Sequence, residues 1–172
     1  PDKPFLSLGI RSHCKGTFLK PDFQPEQISL DVLYKVQKDD LIVNITFAWE
    51  GAIAIANEYD HNALVSHRFP TYVFNRKKVI PEFFKHIIID KRLRYILGNI
   101  SPGGAGRNRV LKKSDFLRIK WSLPSVPEQE KIASVLNTAD REIQLLNKTL
   151  ATLQRQKKAL MQVLLTGKVR VK

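Results

Sequence analysis

The sequence predicts an α+β fold, with a mixed globular domain over residues 1–124 followed by one long coiled-coil helix and a short tail over residues 125–172. Three observations predict it. Short runs of β-branched and small apolar residues in the first part are punctuated by Gly, Pro and Asn, and one stretch among them carries apolar residues at helical spacing. From Pro127 to Leu165 there is neither a Gly nor a second Pro, while apolar residues return at alternating steps of four and three.

In chain order, Leu41–Thr46 and Gly51–Ala56 read as strands separated by the turn Phe47-Ala48-Trp49-Glu50. Ala63–Ser66 and Thr71–Phe74 read as two further short strands, set off by Asp60-His61-Asn62 and Arg76-Lys77-Lys78, so that a strand meander is expected. One helix is expected from Pro81 to Leu97, with Pro81 at its first position and Gly98 as its terminator. Ser101–Arg109 is a glycine-rich loop, Ser114-Asp115 caps a short turn, and Ile119–Leu123 is a closing strand.

The tail is the clearest element. Ile132, Leu136, Ala139, Ile143, Leu146, Leu150, Leu153, Lys157, Leu160 and Leu164 form the seam of a heptad pattern, and an ordinary core helix rarely sustains such a pattern over this length. Pro127 suits the first turn, Ser125 and Glu128 have capping-box spacing, and Thr166-Gly167 ends the run. A kink is expected at Asn137-Thr138, where two poor helix formers meet. At 1.5 Å per residue the helix extends roughly 57 Å, which requires a partner. Lys157 occupies a seam position where a polar group fixes register or orientation at some cost in stability, and Leu145, Met161 and Val163 form a second apolar strip.

Charge narrows the function. The 172 residues hold 29 Lys and Arg against 16 Asp and Glu, a net charge of +13, which points to a polyanion. Nucleic acid is favoured over an anionic membrane, because the long helix carries no interfacial aromatic residue. No apolar run approaches the ~20 residues of a membrane span, and no signal pattern opens the chain. Cys14 stands alone, which excludes an internal disulfide framework and paired-cysteine zinc sites and fits a cytoplasmic location.

Catalytic signatures are missing. Adenine methylation calls for a glycine-rich cofactor loop after a strand and an Asn- or Asp-Pro-Pro-aromatic tetrapeptide, whereas Gly103-Gly104-Ala105-Gly106 follows a helix and no Pro-Pro occurs. No Asp or Glu stands two residues before a Lys, as metal nucleases commonly require, and His13, His61, His67 and His86 lack ligand spacing. No cofactor and no metal are expected.

The run Leu123-Pro124-Ser125-Val126-Pro127-Glu128-Gln129-Glu130-Lys131-Ile132, followed by Leu136, Asp140, Ile143 and the ending Leu160-Met161-Gln162-Val163-Leu164-Leu165-Thr166-Gly167-Lys168-Val169-Arg170-Val171, closely resembles the conserved region that closes a type I restriction-modification specificity subunit. More loosely, Val36–Asp40 with Leu41-Ile42-Val43-Asn44, then Trp49-Glu50-Gly51-Ala52 and Val65-Ser66, resembles that family's target-recognition domains. The resemblance implies a non-catalytic subunit that reads double-stranded DNA and docks methylation and restriction subunits, the former binding S-adenosylmethionine and the latter carrying nuclease and ATP-driven translocation. It also implies that the helix pairs antiparallel with a second conserved helix, of the same or another specificity chain, as a ruler between two half-sites. The chain is then half of a full subunit, which its missing initial Met favours, or a natural half-subunit acting as a homodimer. A coiled-coil adapter that reads no DNA, and a nucleic-acid enzyme with unfamiliar residues, are the rival readings.

DNA contacts are sought where Arg, Lys, Asn or Gln stands beside small residues on loops that reach base edges. Arg107, Asn108 and Arg109 in the glycine-rich loop are the first choice, and Arg11, His13 and Lys15 beside Gly16 the second. Arg68 follows, with Trp49 as a core anchor, while Lys112, Lys113 and Lys120 are phosphate contacts without sequence information.

Overall fold

A computed structural model of the chain describes residues 4–24, 26, 30, 32–103 and 109–171. It is α+β, as the sequence predicts, and divides into two compact units, Pro1–Glu130 and Lys131–Lys172.

Among the described residues the first unit holds two sheets. Strands β1 (Phe5–Ile10), β2 (Thr17–Phe23), β3 (Tyr34–Lys35) and β6 (Leu64–Val65) form one in the order β2-β1-β6-β3, with β1 and β6 parallel and the other pairs antiparallel. Strands β4 (Leu41–Val43), β5 (Ile53–Ile55) and β7 (Thr71–Tyr72) form the other in the order β5-β4-β7, wholly antiparallel. The expected meander is therefore replaced by two interleaved sheets. Leu8, Ile10, Val36, Ile42, Ala52, Ala54, Ala56, Ala63 and Val65 form a buried cluster in which the alanines let backbones approach closely.

The hairpin β1–β2 is not among the expected strands, and β2 contains Pro21, a residue confined to edges and bulges of sheets. It is tolerated because β2 lies at the sheet edge, where a missing N–H costs no ladder bond, and the register shifts between Phe5 and Ser7 opposite this segment.

The expected helix over residues 81–97 is two helices, α1 (Pro81–Ile87) and α2 (Lys91–Asn99). Asp90 breaks it: with extended φ and ψ its side chain accepts the Arg92 amide at 2.7 Å, a new N-cap that outcompetes continuation. Gly98 lies inside α2 rather than ending it. Ser114 and Asp115 lie inside a third short helix, α3 (Lys113–Leu117), whose N-cap is Lys112. Ile119–Leu123 forms no strand, and Trp121 there stacks under the Arg92 guanidinium, 5.2 Å from the ring centroid.

The long helix α4 (Val126–Leu165) is continuous and runs through Asn137-Thr138 without a break. The Thr138 hydroxyl donates to the Ser134 carbonyl at 2.9 Å, a local bond that the helix accommodates. At its start, within the first unit, Gln129 is fully buried and fully used. Its amide nitrogen donates to the carbonyls of Lys78 and Pro124, each at 2.9 Å, and its oxygen accepts the Ile80 amide at 3.1 Å. In the second unit the seam leucines and Ile143 lie on the helix surface, between 38% and 62% exposed. Gly167, at φ +70°, turns the chain after the last helical residue.

Candidate nucleic-acid interface

The turn that follows β4 is the hub of the first unit. Asn44 accepts the Thr46 amide through its side chain at 3.1 Å and the Phe47 amide through its carbonyl at 3.1 Å, starting a 3-10 turn over Ala48–Glu50. Gly51 closes it at φ +79°, its amide donating to the Ala48 carbonyl at 2.8 Å. The Trp49 indole donates to the Thr46 carbonyl at 3.1 Å, which holds the ring across the turn.

The β1–β2 hairpin loop docks on this turn. The His13 amide donates to the Glu50 carbonyl and the Cys14 amide to the Gly51 carbonyl, both at 2.8 Å, and the Ser12 hydroxyl donates to the Glu50 carboxylate at 2.8 Å. His13 and Cys14 sit at φ +61° and +55°, left-handed conformations that cost non-glycine residues roughly 1–2 kcal/mol each and persist because these bonds hold them. A β-carbon on Gly51 would stand 3.2 Å from the Cys14 sulfur, so glycine serves both the turn and the close approach. The Cys14 thiol donates to the Ile88 carbonyl at 3.0 Å, and burial pushes its pKa up against the opposing effect of Arg94, which favours the protonated thiol that makes this bond.

Arg11, His13 and Lys15 are exposed on this docked loop. The Arg11 guanidinium donates to the Thr17 carbonyl and lies over the Phe18 ring, 5.0 Å from its centroid, and the Lys20 ammonium approaches the same ring at 5.7 Å. Phe18 faces Gly9 across the hairpin, and a β-carbon at Gly9 would clash with the ring at 2.4 Å. Thr17 anchors the strand to the buried Asp60 carboxylate at 2.9 Å, which also accepts the Asn57 amide.

Two more predicted residues reach the same turn. The Ile45 amide donates to the Arg68 carbonyl at 3.0 Å, and the exposed Arg68 guanidinium reaches the Thr46 hydroxyl at 3.4 Å. The Leu111 amide donates to the Ile45 carbonyl at 2.8 Å, and Arg109 stacks on Trp49 at 5.0 Å. Arg109 also donates to the carbonyls of Ser101 at 3.0 Å and Gly98 at 2.5 Å, so its guanidinium buttresses the base of the glycine-rich loop. Arg107 and Asn108 lie outside the described residues. Lys113 reaches the His67 carbonyl at 3.5 Å, while Lys112 and Lys120 are exposed.

Segments around residues 11–16, 68 and 109–111 thus converge on residues 44–51, an organisation that spacing in sequence does not reveal. The sequence places Glu50 at the end of a turn and Gly51 at the start of a strand, and nothing in the pattern marks the two as a docking point. Among the described residues no group of three or more His, Cys, Asp or Glu is placed to hold a metal ion, and no helix is long and apolar enough to cross a membrane.

Comparison with known proteins places this architecture. Residues 2–155 match the family described as the type I restriction modification DNA specificity domain, and the chain belongs to that family. Over 120 residues, 70% of this chain and 28% of the relative, it is 28% identical to the type I restriction enzyme MjaVIII specificity subunit of Methanocaldococcus jannaschii. It is 37% identical over 83 residues to the MjaX specificity subunit of the same organism, covering 45% of this chain and 20% of that one. The crystal structure of the HsdS subunit from Thermoanaerobacter tengcongensis shares the fold over 95% of this chain and 42% of its own, with a TM-score of 0.66 at 18% identity. The chain therefore spans well under half the length of each of these proteins.

Proposed function

We propose that this chain reads one half of a bipartite double-stranded DNA target for a type I restriction-modification complex, without catalytic chemistry or a cofactor of its own. The observation that carries this reading is the convergence of Arg11, His13 and Lys15 with Arg68 on the turn 44–51, in a chain of net charge +13 that belongs to the specificity family. Cations on docked loops supply phosphate affinity, and their fixed geometry supplies base discrimination. Arg107 and Asn108 are the further base contacts, and Arg109 contributes at the root of their loop.

The second unit supports the docking half of the proposal. Apolar seam residues exposed along a 40-residue helix call for a second helix, which comes from the same longer chain or from another copy acting with it as a homodimer. Exposed apolar residues off the seam, such as Leu145, then face a methylation subunit, and the restriction subunit joins the assembled complex. These assemblies act on cytoplasmic DNA. A coiled-coil adapter without DNA reading would leave the organised cationic turn unexplained.

Sequencing methylated bases in genomes with and without the gene tests the proposal. Loss of a defined two-part motif on deletion is expected, and an unchanged methylation pattern would sink the reading.

A further inference from the structure

We propose that Glu50 is a positioning residue for target discrimination: by accepting the Ser12 hydroxyl, its carboxylate fixes the hairpin loop that presents Arg11, His13 and Lys15. This rests on the DNA-recognition reading above.

The argument begins with a charge of the wrong sign. A carboxylate beside a phosphate-binding surface weakens affinity for any sequence, so its use there lies in geometry. Glu50 is half-buried in the 3-10 turn, and its 2.8 Å bond to Ser12 joins the residue between Arg11 and His13 to a rigid element. Two consecutive left-handed residues, His13 and Cys14, follow directly. Main-chain bonds to Glu50 and Gly51 hold those two in place, and Arg11 has its own bonds to the Gly16 and Thr17 carbonyls, but none of these ties the Ser12 side chain to the turn. The Ser12–Glu50 bond supplies that restraint. Loosening it leaves the cations present, so phosphate attraction survives while base edges are met less selectively. A direct role is the competing account, in which the Glu50 carboxylate itself accepts a cytosine amino group.

A double-mutant cycle separates the two in the complete specificity subunit, expressed with its methylation partner. Ser12→Ala, Glu50→Ala, the double variant and Glu50→Gln are compared by methylome sequencing of the host genome. The reading is the ratio of methylation at target sites to that at sites differing by one base in this chain's half. Ser12→Ala and Glu50→Ala should each lower the ratio about fivefold to tenfold, the double variant no further, and Glu50→Gln, which keeps an acceptor, should stay within about twofold of wild type. Thermal unfolding of the purified proteins reports folding separately. If Glu50→Ala lowers the ratio and Ser12→Ala does not, Glu50 reads a base and the positioning role is overturned. Effects that multiply, or melting temperatures that fall while the ratio holds, overturn it equally. Should Glu50→Ala abolish methylation, Ser12→Ala, which removes a single hydroxyl, decides alone. A wild-type protein that gives no defined motif defeats the recognition reading itself, an outcome distinct from any of these.

Discussion

Single side chains carry more of this fold than their types announce. Gln129 spends its whole amide inside the first unit on two carbonyls and one N–H, so Gln129→Ala takes the partner from all three and should cost about 2–4 kcal/mol, read as a lower denaturation midpoint. A loss under about 0.5 kcal/mol would mean that water replaces the amide. Asp40 offers a pH test. Burial raises its pKa, against the lowering effect of the Gln37 amide that donates to it, so folding favours the protonated form. That contribution is fully present below the unfolded carboxylate range and lost as pH rises through the folded pKa. Asp40→Asn, which keeps the acceptor, should therefore be modestly more stable than wild type at pH 7 and lose that advantage below about pH 4. Equal stabilities at both pH values would refute it. Such roles were not legible in sequence, since a Gln in a basic, helical run reads as surface until three partners from residues 78–124 surround it. Arg109 stands out in sequence by its place in a glycine-rich loop, but its stacking on Trp49 depends on a contact across 60 residues that only the fold brings about.

At the scale of elements, periodic patterns were legible and short-range competition was not. The heptad alternation over Ile132–Leu164 appears as one unbroken helix, because a forty-residue signal averages over poor helix formers such as Asn137 and Thr138. Over residues 81–99 one Asp at an N-cap position outweighed an apolar period that runs through it, and two helices result. The edge hairpin was hidden by Pro21 and by a tight loop whose left-handed residues are His13 and Cys14, neither of them glycine. The helix itself allows a control experiment. Inserting two residues after Leu146 turns Leu150, Leu153 and Leu160 by roughly 200° around the helix, off the seam, and should weaken pairing with the second helix and with it assembly of the complex, as read by co-purification. Unimpaired assembly would show that the seam is not what the partner grips.

On the proposed function, the whole molecule joins a reading unit to a spacer. Binding by the isolated chain should be weak and fall steeply with salt, because phosphate neutralisation dominates when the other half-site is missing, and salt-independent binding would contradict that. Inserting a full heptad after Leu146, with a matching heptad in the partner helix, preserves the seam and lengthens it by about 10.5 Å. The gap between half-sites should then grow by roughly three base pairs, and an active variant with an unchanged gap would remove the ruler role. The class of fold and the long helix were legible because composition and long periodicity are global properties. The assembly of the cationic surface was not, because it depends on which loops meet at residues 44–51. The most direct test of the central claim is a domain exchange read by methylome sequencing, with residues 1–124 replacing the corresponding recognition domain of a specificity subunit whose two-part target is known. The account predicts that one half-site changes to a new sequence while the other half-site and the spacing persist. An active chimera that still methylates both original half-sites would contradict it.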